Sequence, residues 1–179
     1  MIRLPSGVSI EAATIRDASY IMANLRPLDL REVRCQIPDS VTMVEMSYAM
    51  LHSGDSFIAS YRGKPVVFFG TSAMNVACAM VWAVGTKNAP RVIPAVTRFM
   101  IHEHIPNLID RGFLTLEARS YFEHVEAHRW MLSAGAHKSG APFYYGKDRE
   151  LFQLFRWTIE EFEAIRTGRW SARHADTET

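Results

Sequence analysis

The spacing of apolar residues changes repeatedly along this chain, and each change marks a predicted element. Val8 to Thr14 reads as a short strand, after which Asp17 caps a helix carrying Tyr20, Ile21, Leu25 and Leu28, with Pro27 as its breaker. A second helical stretch covers Asp29 to Arg34, and Val41, Val44, Met46, Ala49 and Met50 recur at helical spacing in a third that ends at Ser53-Gly54. The period then shortens. Ser56–Tyr61 and Pro65–Ser72 flank Arg62-Gly63-Lys64, the pattern of a hairpin, and Val76–Val84 is an apolar run long enough for a central strand.

Gly85 to Pro90 ends that run, and a long helix is predicted from Arg91 to Asp110. Pro94 is tolerable in its first turn, whereas Pro106 removes the hydrogen bond to the carbonyl of His102 and predicts a kink. Arg111-Gly112 closes the helix. Phe113–Ala118 reads as a strand, Ser120-Tyr121-Phe122 as a turn, and His124–Leu132 as a helix with Ala127, Trp130, Met131 and Ala134 at helical spacing. Gly135 supplies the left-handed residue that stops such a helix. Phe143–Tyr145 and Leu151–Trp157 read as closing strands, and Glu160–Arg166 as a helical tail before a mobile polar end. We therefore expect one α/β (α+β) domain over residues 1–157, a mixed sheet of six to seven strands flanked by about four helices, with residues 158–179 as a tail.

At 179 residues and 48% hydrophobic side chains, the chain can bury a core without disulfide or metal staples. Twenty basic residues against nineteen acidic ones give a formal charge of +1, so no bulk field draws it to nucleic acid or to an anionic membrane. Cys35 and Cys78 fit reduced structural thiols better than a disulfide framework. No apolar leader region and no run of membrane-spanning length is seen, which places the expected location in the cytoplasm.

The segment from Phe113 to Lys138 resembles a motif of the GNAT superfamily of acyl-coenzyme A dependent N-acyltransferases. In that family the helix reads N-x-x-A-x-x-x-Y-x-x-x-G-F, and His124, Ala127, Met131, Gly135 and Ala136 fall on the five fixed positions, with Ala127 and Gly135 matching. The order of predicted elements from Val8 to Trp157 is similar to the GNAT fold. Within it, the stretch Asn24–Val33, the Trp82–Thr86 junction and Arg129-Trp130-Met131 with Gly135 look like a phage branch that includes the internal virion protein A family of short-tailed phages.

The resemblance implies an acyl-coenzyme A cofactor such as acetyl-CoA and transfer to a primary amine of a small molecule or protein. Its alternative is a degenerate GNAT-fold protein kept for virion assembly or host interaction, with a phage or host protein as partner. It implies that the strand Met80–Val84 parts from the strand at Phe113–Ala118, leaving backbone groups for the pantetheine arm, with Trp82, Ala83 and Val84 along it and Trp82 as wall or core. It also implies that Gly85, Thr86, Lys87, Asn88, Ala89 and Arg91 hold the pyrophosphate. A glycine at a helix start, with Lys87 and Arg91 beside it, suits an anion on elementary grounds too. His128 joins these as a cofactor contact.

Chemistry is less marked. The family motif carries a tyrosine acid where this chain has Met131, which cannot donate a proton, and no glutamate lies between Ala77 and Val84. The candidate acid and base groups are therefore Glu117, Tyr121 and His124, with Asp29, Glu32, His128, Tyr144 and Tyr145 as substitutes. His124 and His128, four apart, share a helix face in this reading, but no third ligand at recognisable spacing makes a metal site. Phe152, Phe155 and Trp157 offer either closing-strand packing or a self-associating edge.

Overall fold

The computed structural model describes residues 3–167. The predicted mobile end and the last residues of the tail lie outside them. The chain opens with strand β1 (Val8–Ala12), followed by helices α1 (Ile15–Ala23), α2 (Pro27–Gln36) and α3 (Met43–His52). Strands β2 (Gly54–Tyr61), β3 (Lys64–Ala73) and β4 (Cys78–Gly85) form an antiparallel meander. Then come α4 (Ile93–Phe99), α5 (Ile105–Asp110), β5 (Thr115–Tyr121), α6 (Val125–Ser133), the short strands β6 (His137–Lys138) and β7 (Phe143–Tyr144), β8 (Leu151–Thr158) and α7 (Ile159–Arg166). The sheet is mixed and eight-stranded, in the order β1-β2-β3-β4-β5-β8-β6 with β7 also on β8. It therefore holds one or two more strands than expected, and the described residues carry seven helical segments where about four were expected, with α4 and α5 together covering the predicted long helix and α7 the predicted tail.

Local chemistry explains most boundaries. Thr14, not Asp17, is the N-cap of α1: its Oγ1 accepts from the Asp17 amide at 3.2 Å, so the acidic residue sits inside the first turn. α1 ends at Ala23, before Leu25 and Leu28, and Pro27 is not its breaker but opens α2 at the first helical position, where its missing N–H costs nothing. Thr42 and Glu45 form a reciprocal capping box at the start of α3. The β2–β3 turn needs positive φ at both central residues, and Arg62 (51°) and Gly63 (72°) supply it.

The predicted long helix runs without a break from Ile93 to Asp110 but changes its winding midway. Between α4 and α5 the residues Met100–His104 form a wide π turn, and the Ile105 amide donates to the Met100 carbonyl five residues back. Pro106 has no amide to continue the normal ladder and its ring crowds the carbonyl four residues earlier, so the turn widens just before it. The helix α6 ends as predicted, in a two-bond glycine cap: Ala136 donates to Met131 and Gly135 to Leu132, both at 3.0 Å, with Gly135 at φ 90°.

Two expectations shift. Val76 lies outside β4 and is 94% exposed. β5 begins two residues late but runs through the predicted turn at Ser120-Tyr121, because β8 keeps pairing with it as far as Tyr121 opposite Phe152.

Cores lie on both faces of the sheet. One joins Ala18, Ile21, Met22, Val33 and Met50 to Phe68 and Val84; the other joins Val92, Val96, Leu108 and Met131 to Phe69, Leu116 and Phe155. Phe152, Phe155 and Trp157 are buried in β8 between β5 and the short strands, so they form no self-associating edge. Phe162 of α7 stacks on Trp157 at 6.5 Å between ring centres and belongs to the second core.

Candidate active site

β4 and β5 run parallel, side by side, for only three residue pairs, Cys78 with Thr115, Ala79 with Leu116 and Met80 with Glu117. Beyond Met80 they part. A cavity of about 400 Å³ fills the opening, reached by Trp82, Ala83, Val84 and Gly85 from β4 and by Leu116, Ala118 and Ser120 from β5. Alternation along β5 decides which of its groups take part. Leu116, Ala118 and Ser120 line the cavity and the long Arg119 side chain also reaches it, while Glu117 is paired with Arg156 at 2.6 and 2.7 Å, and Tyr121 packs with Cys35 and Phe152 in a separate small core. Neither Glu117 nor Tyr121 is among the cavity-lining residues.

Helix α2 straddles the opening. Its residues Asp29 and Glu32, one turn apart on one face, reach opposite rims. Asp29 Oδ1 accepts from the Gly85 amide at 3.3 Å on the β4 side, and its other oxygen pairs with Arg26. Burial raises the Asp29 pKa above the ordinary carboxylate value and outweighs the opposing pull of Arg26. Glu32 Oε2 accepts from Ser120 Oγ at 3.2 Å and lies 3.0 Å from His124 Nδ1 on the β5 side. Two exposed ion pairs, Arg26 to Glu126 at 3.2 Å and Arg31 to Glu123 at 3.4 Å, tie the same helix to the α6 end of the molecule.

His124 is therefore the one member of the three catalytic candidates that lines the cavity. An ionised carboxylate can only accept, so Nδ1 carries the proton of this contact, and in the neutral ring the lone pair then falls on Nε2. That Nε2 is buried with no hydrogen-bond partner among the described residues. His128 does not share its face. His124 is the N-cap of α6 with φ −81° and ψ 60°, outside the regular helix, so the four-residue rule does not bring the two rings together. His128 donates from Nε2 to the Tyr121 carbonyl at 3.1 Å, away from the cavity, and burial lowers its pKa.

The β4–α4 junction is built differently from the expected amide cradle. The amides of Gly85, Thr86, Asn88, Ala89 and Arg91 donate to Asp29, Val66, Thr86 Oγ1, Thr86 carbonyl and Asn88 respectively, and Pro90 has none. A short helical turn, Ala89–Arg91, takes the place of a long helix N-terminus. Cations are what this junction still offers. Thr86, Lys87, Asn88 and Arg91 line a second hollow together with Arg62 and Lys64 of the hairpin, and Arg26 lines both hollows. Gly85 and Ala89 belong to the first cavity instead, packed so closely that a Cβ at Gly85 would stand 2.7 Å from that of Ala89.

Trp82, weighed as wall or core, is both. It packs edge-on to Phe68 at 4.7 Å, donates to Ser72 Oγ at 3.2 Å and lines the cavity. Met131, at the tyrosine position of the family motif, lines it too. Of the other tyrosines, Tyr145 lines the cavity and its hydroxyl accepts from Arg119 at 2.8 Å. The sequence reading missed Arg26, Ser120 and Arg119 as site residues. No group of three His, Cys, Asp or Glu side chains is placed to hold a metal, and no helix is long and apolar enough to cross a membrane, among the described residues.

No protein-family profile and no curated protein matches the sequence. Solved structures do. A spermidine N-acetyltransferase from Vibrio cholerae, solved with CoA and spermine, superposes with a TM-score of 0.68 at 8% identity over 89% of this chain and 99% of that one. The fold is that of the GNAT acetyltransferases. A GNAT-family protein from Chromobacterium violaceum gives 0.67 at 12% identity over 90% and 92%, and the ribosomal-protein-S18-alanine N-acetyltransferase of Escherichia coli gives 0.62 at 16% over 85% and 94%. At these identities the GNAT likeness is one of fold.

Proposed function

We propose that this protein binds an acyl-coenzyme A such as acetyl-CoA and transfers the acyl group to a primary amine. The observation that carries this reading is the parting of β4 from β5 after Met80, with a histidine oriented by a carboxylate inside the opening. Val81 to Val84 would hold the pantetheine arm along their unladdered side, as an added strand. Lys87 and Arg91, with Arg62 and Lys64, would hold the phosphates by side-chain charge in place of backbone amides. Bound there, the acyl thioester supplies an activated carbonyl and a thiolate leaving group.

The protein's own groups manage the protons. His124 Nε2 takes one from the attacking amine, and Glu32 holds the Nδ1–H and stabilises the imidazolium that results. Tyr145 is the tyrosine hydroxyl the cavity offers to the leaving sulfur, and Met131 offers none.

A second reading is a degenerate phage scaffold for virion assembly or host interaction, of which Met131 and the internally bonded amides of the junction favour the loss of catalysis and not the role. Calorimetric titration with acetyl-CoA separates the two. Acyl transfer expects an affinity of about 1 µM, roughly 8 kcal/mol, that falls about tenfold when Lys87 and Arg91 both become alanine. No heat and no thermal shift at ~1 mM ligand would leave the scaffold, since a ligand of the native state must stabilise it.

A further inference from the structure

The polar side chains of the cavity each hold at least one partner within the protein. Arg26 is held by Asp29 and Glu126, Asp29 also by the Gly85 amide, and Glu32 by Ser120 and His124. Ser72 donates to Ser53 and accepts from Trp82, Thr97 donates to Ile93 and accepts from Trp130, Gln36 donates to the Glu32 carbonyl, and Arg119 donates to Tyr145. The buried side-chain nitrogen or oxygen left without a partner among the described residues is His124 Nε2, in a cavity whose lining is mostly apolar and includes Val33, Met46, Met50, Met80 and Trp82.

We infer that the acceptor is a monoamine on an apolar body, an arylalkylamine or a similar hydrophobic amine, and not a polyamine or an amino sugar. This rests on the acyl-transfer reading above and narrows its substrate. One nitrogen can meet Nε2 with an N–H, while the rest of the molecule lies against methionine, valine and tryptophan. Each further ammonium or hydroxyl carried into the cavity would lose its water and have to compete with Arg26 for Asp29 or with Ser120 and His124 for Glu32. A second charge therefore subtracts from binding, which makes the cavity a filter on charge number as well as on shape.

Trp82 and Trp130 both line the cavity, so the test is a fluorescence titration of the full chain with 2-phenylethylamine and with spermidine, each with and without saturating CoA, alongside the acetyl-CoA calorimetry. Phenylethylamine should saturate and spermidine should be weaker by about tenfold or more, the scale of one unpaired buried polar group. H124A should weaken phenylethylamine about tenfold for the loss of one hydrogen bond. M46E, half-buried at the lining and checked for folding by its melting curve, should shift the preference toward spermidine. Equal or tighter spermidine binding to the native protein overturns the inference. Heat from acetyl-CoA with neither amine binding overturns it and leaves acyl transfer standing. Saturable phenylethylamine without acetyl-CoA heat removes the transferase reading and keeps the cavity's ligand class, and silence from all three ligands ends both.

Discussion

The two rims of the β4–β5 opening use the same helix for opposite ends. At the β5 rim, Glu32 fixes one nitrogen of His124 and leaves the other without a partner. At the β4 rim, Asp29 takes up the Gly85 amide, and the neighbouring amides are taken up in turn by Val66, Thr86 and Asn88. A site needs some polar capacity left over after folding. The His124 rim has kept one such group, whereas the junction has turned most of its backbone amides inward and offers the charges of Lys87 and Arg91.

The hardest way to break this contrast is to remove the retained group. His124→Ala should lower the rate of transfer to amine by about 10²–10⁴, the range for a positioned proton acceptor. Acetyl-CoA affinity should change little, because His124 stands at the β5 rim and not at the junction. Glu32→Gln keeps an acceptor for Nδ1–H but removes the charge that favours the imidazolium, so its loss should be smaller and should fall on kcat more than on KM. Steady-state rates with calorimetry on the same variants decide it; a loss of cofactor binding in His124→Ala would move the histidine out of the proton-transfer role.

Asp29 tests the other rim. In Asp29→Ala the Gly85 amide and Arg26 both lose a buried partner, which should lower unfolding stability by about 1–3 kcal/mol. Asp29→Asn keeps an oxygen for Gly85. Because burial already works against the charged carboxylate there, the neutral amide should be clearly milder than alanine. Urea unfolding of the pair measures the difference, and equal losses would mean that the charge on Asp29, and not the amide contact, holds the junction closed.

The sheet was largely legible because its signals are local. The two-residue turn at Arg62-Gly63, the alternation of β2 and β3 and the glycine cap after α6 depend on neighbours in sequence. The widened turn before Pro106 was half legible: proline announces a missing bond, but only the packed helix shows that the chain absorbs it as a π turn. β6 is two residues long and exists through pairing with Arg156 and Phe155, so it left no pattern to read. The site was less legible still. Asp29 and Glu32 share a face by spacing, yet nothing near them in sequence says that this face spans the gap between Gly85 and His124, 56 and 92 residues away. For the same reason a glycine followed by Lys87 and Arg91 looks like an anion loop until the destinations of its amides are known.

A third histidine sharpens the contrast by lacking what His124 has. His104 is buried beside β3, its Nε2 3.1 Å from Thr71 Oγ1, its ring against Phe57 and Phe99, with no carboxylate bonded to it among the described residues. Burial lowers its pKa below the ordinary histidine value of about 6.5, with Asp55 and Arg111 pulling in opposite directions. A histidine that resists protonation when folded lends stability that is complete above that ordinary value and is lost as the pH falls below it toward the folded pKa. His128, also lowered by burial, adds to the same trend. Melting temperatures should therefore drop between pH 7.5 and pH 5.5, and His104→Gln, which can still bond Thr71 but takes up no proton, should flatten part of that drop. A full drop in that variant would assign the acid sensitivity to His128 and to the carboxylates. This is the smallest effect of the set, because it involves one proton and a side chain that takes no part in the cavity.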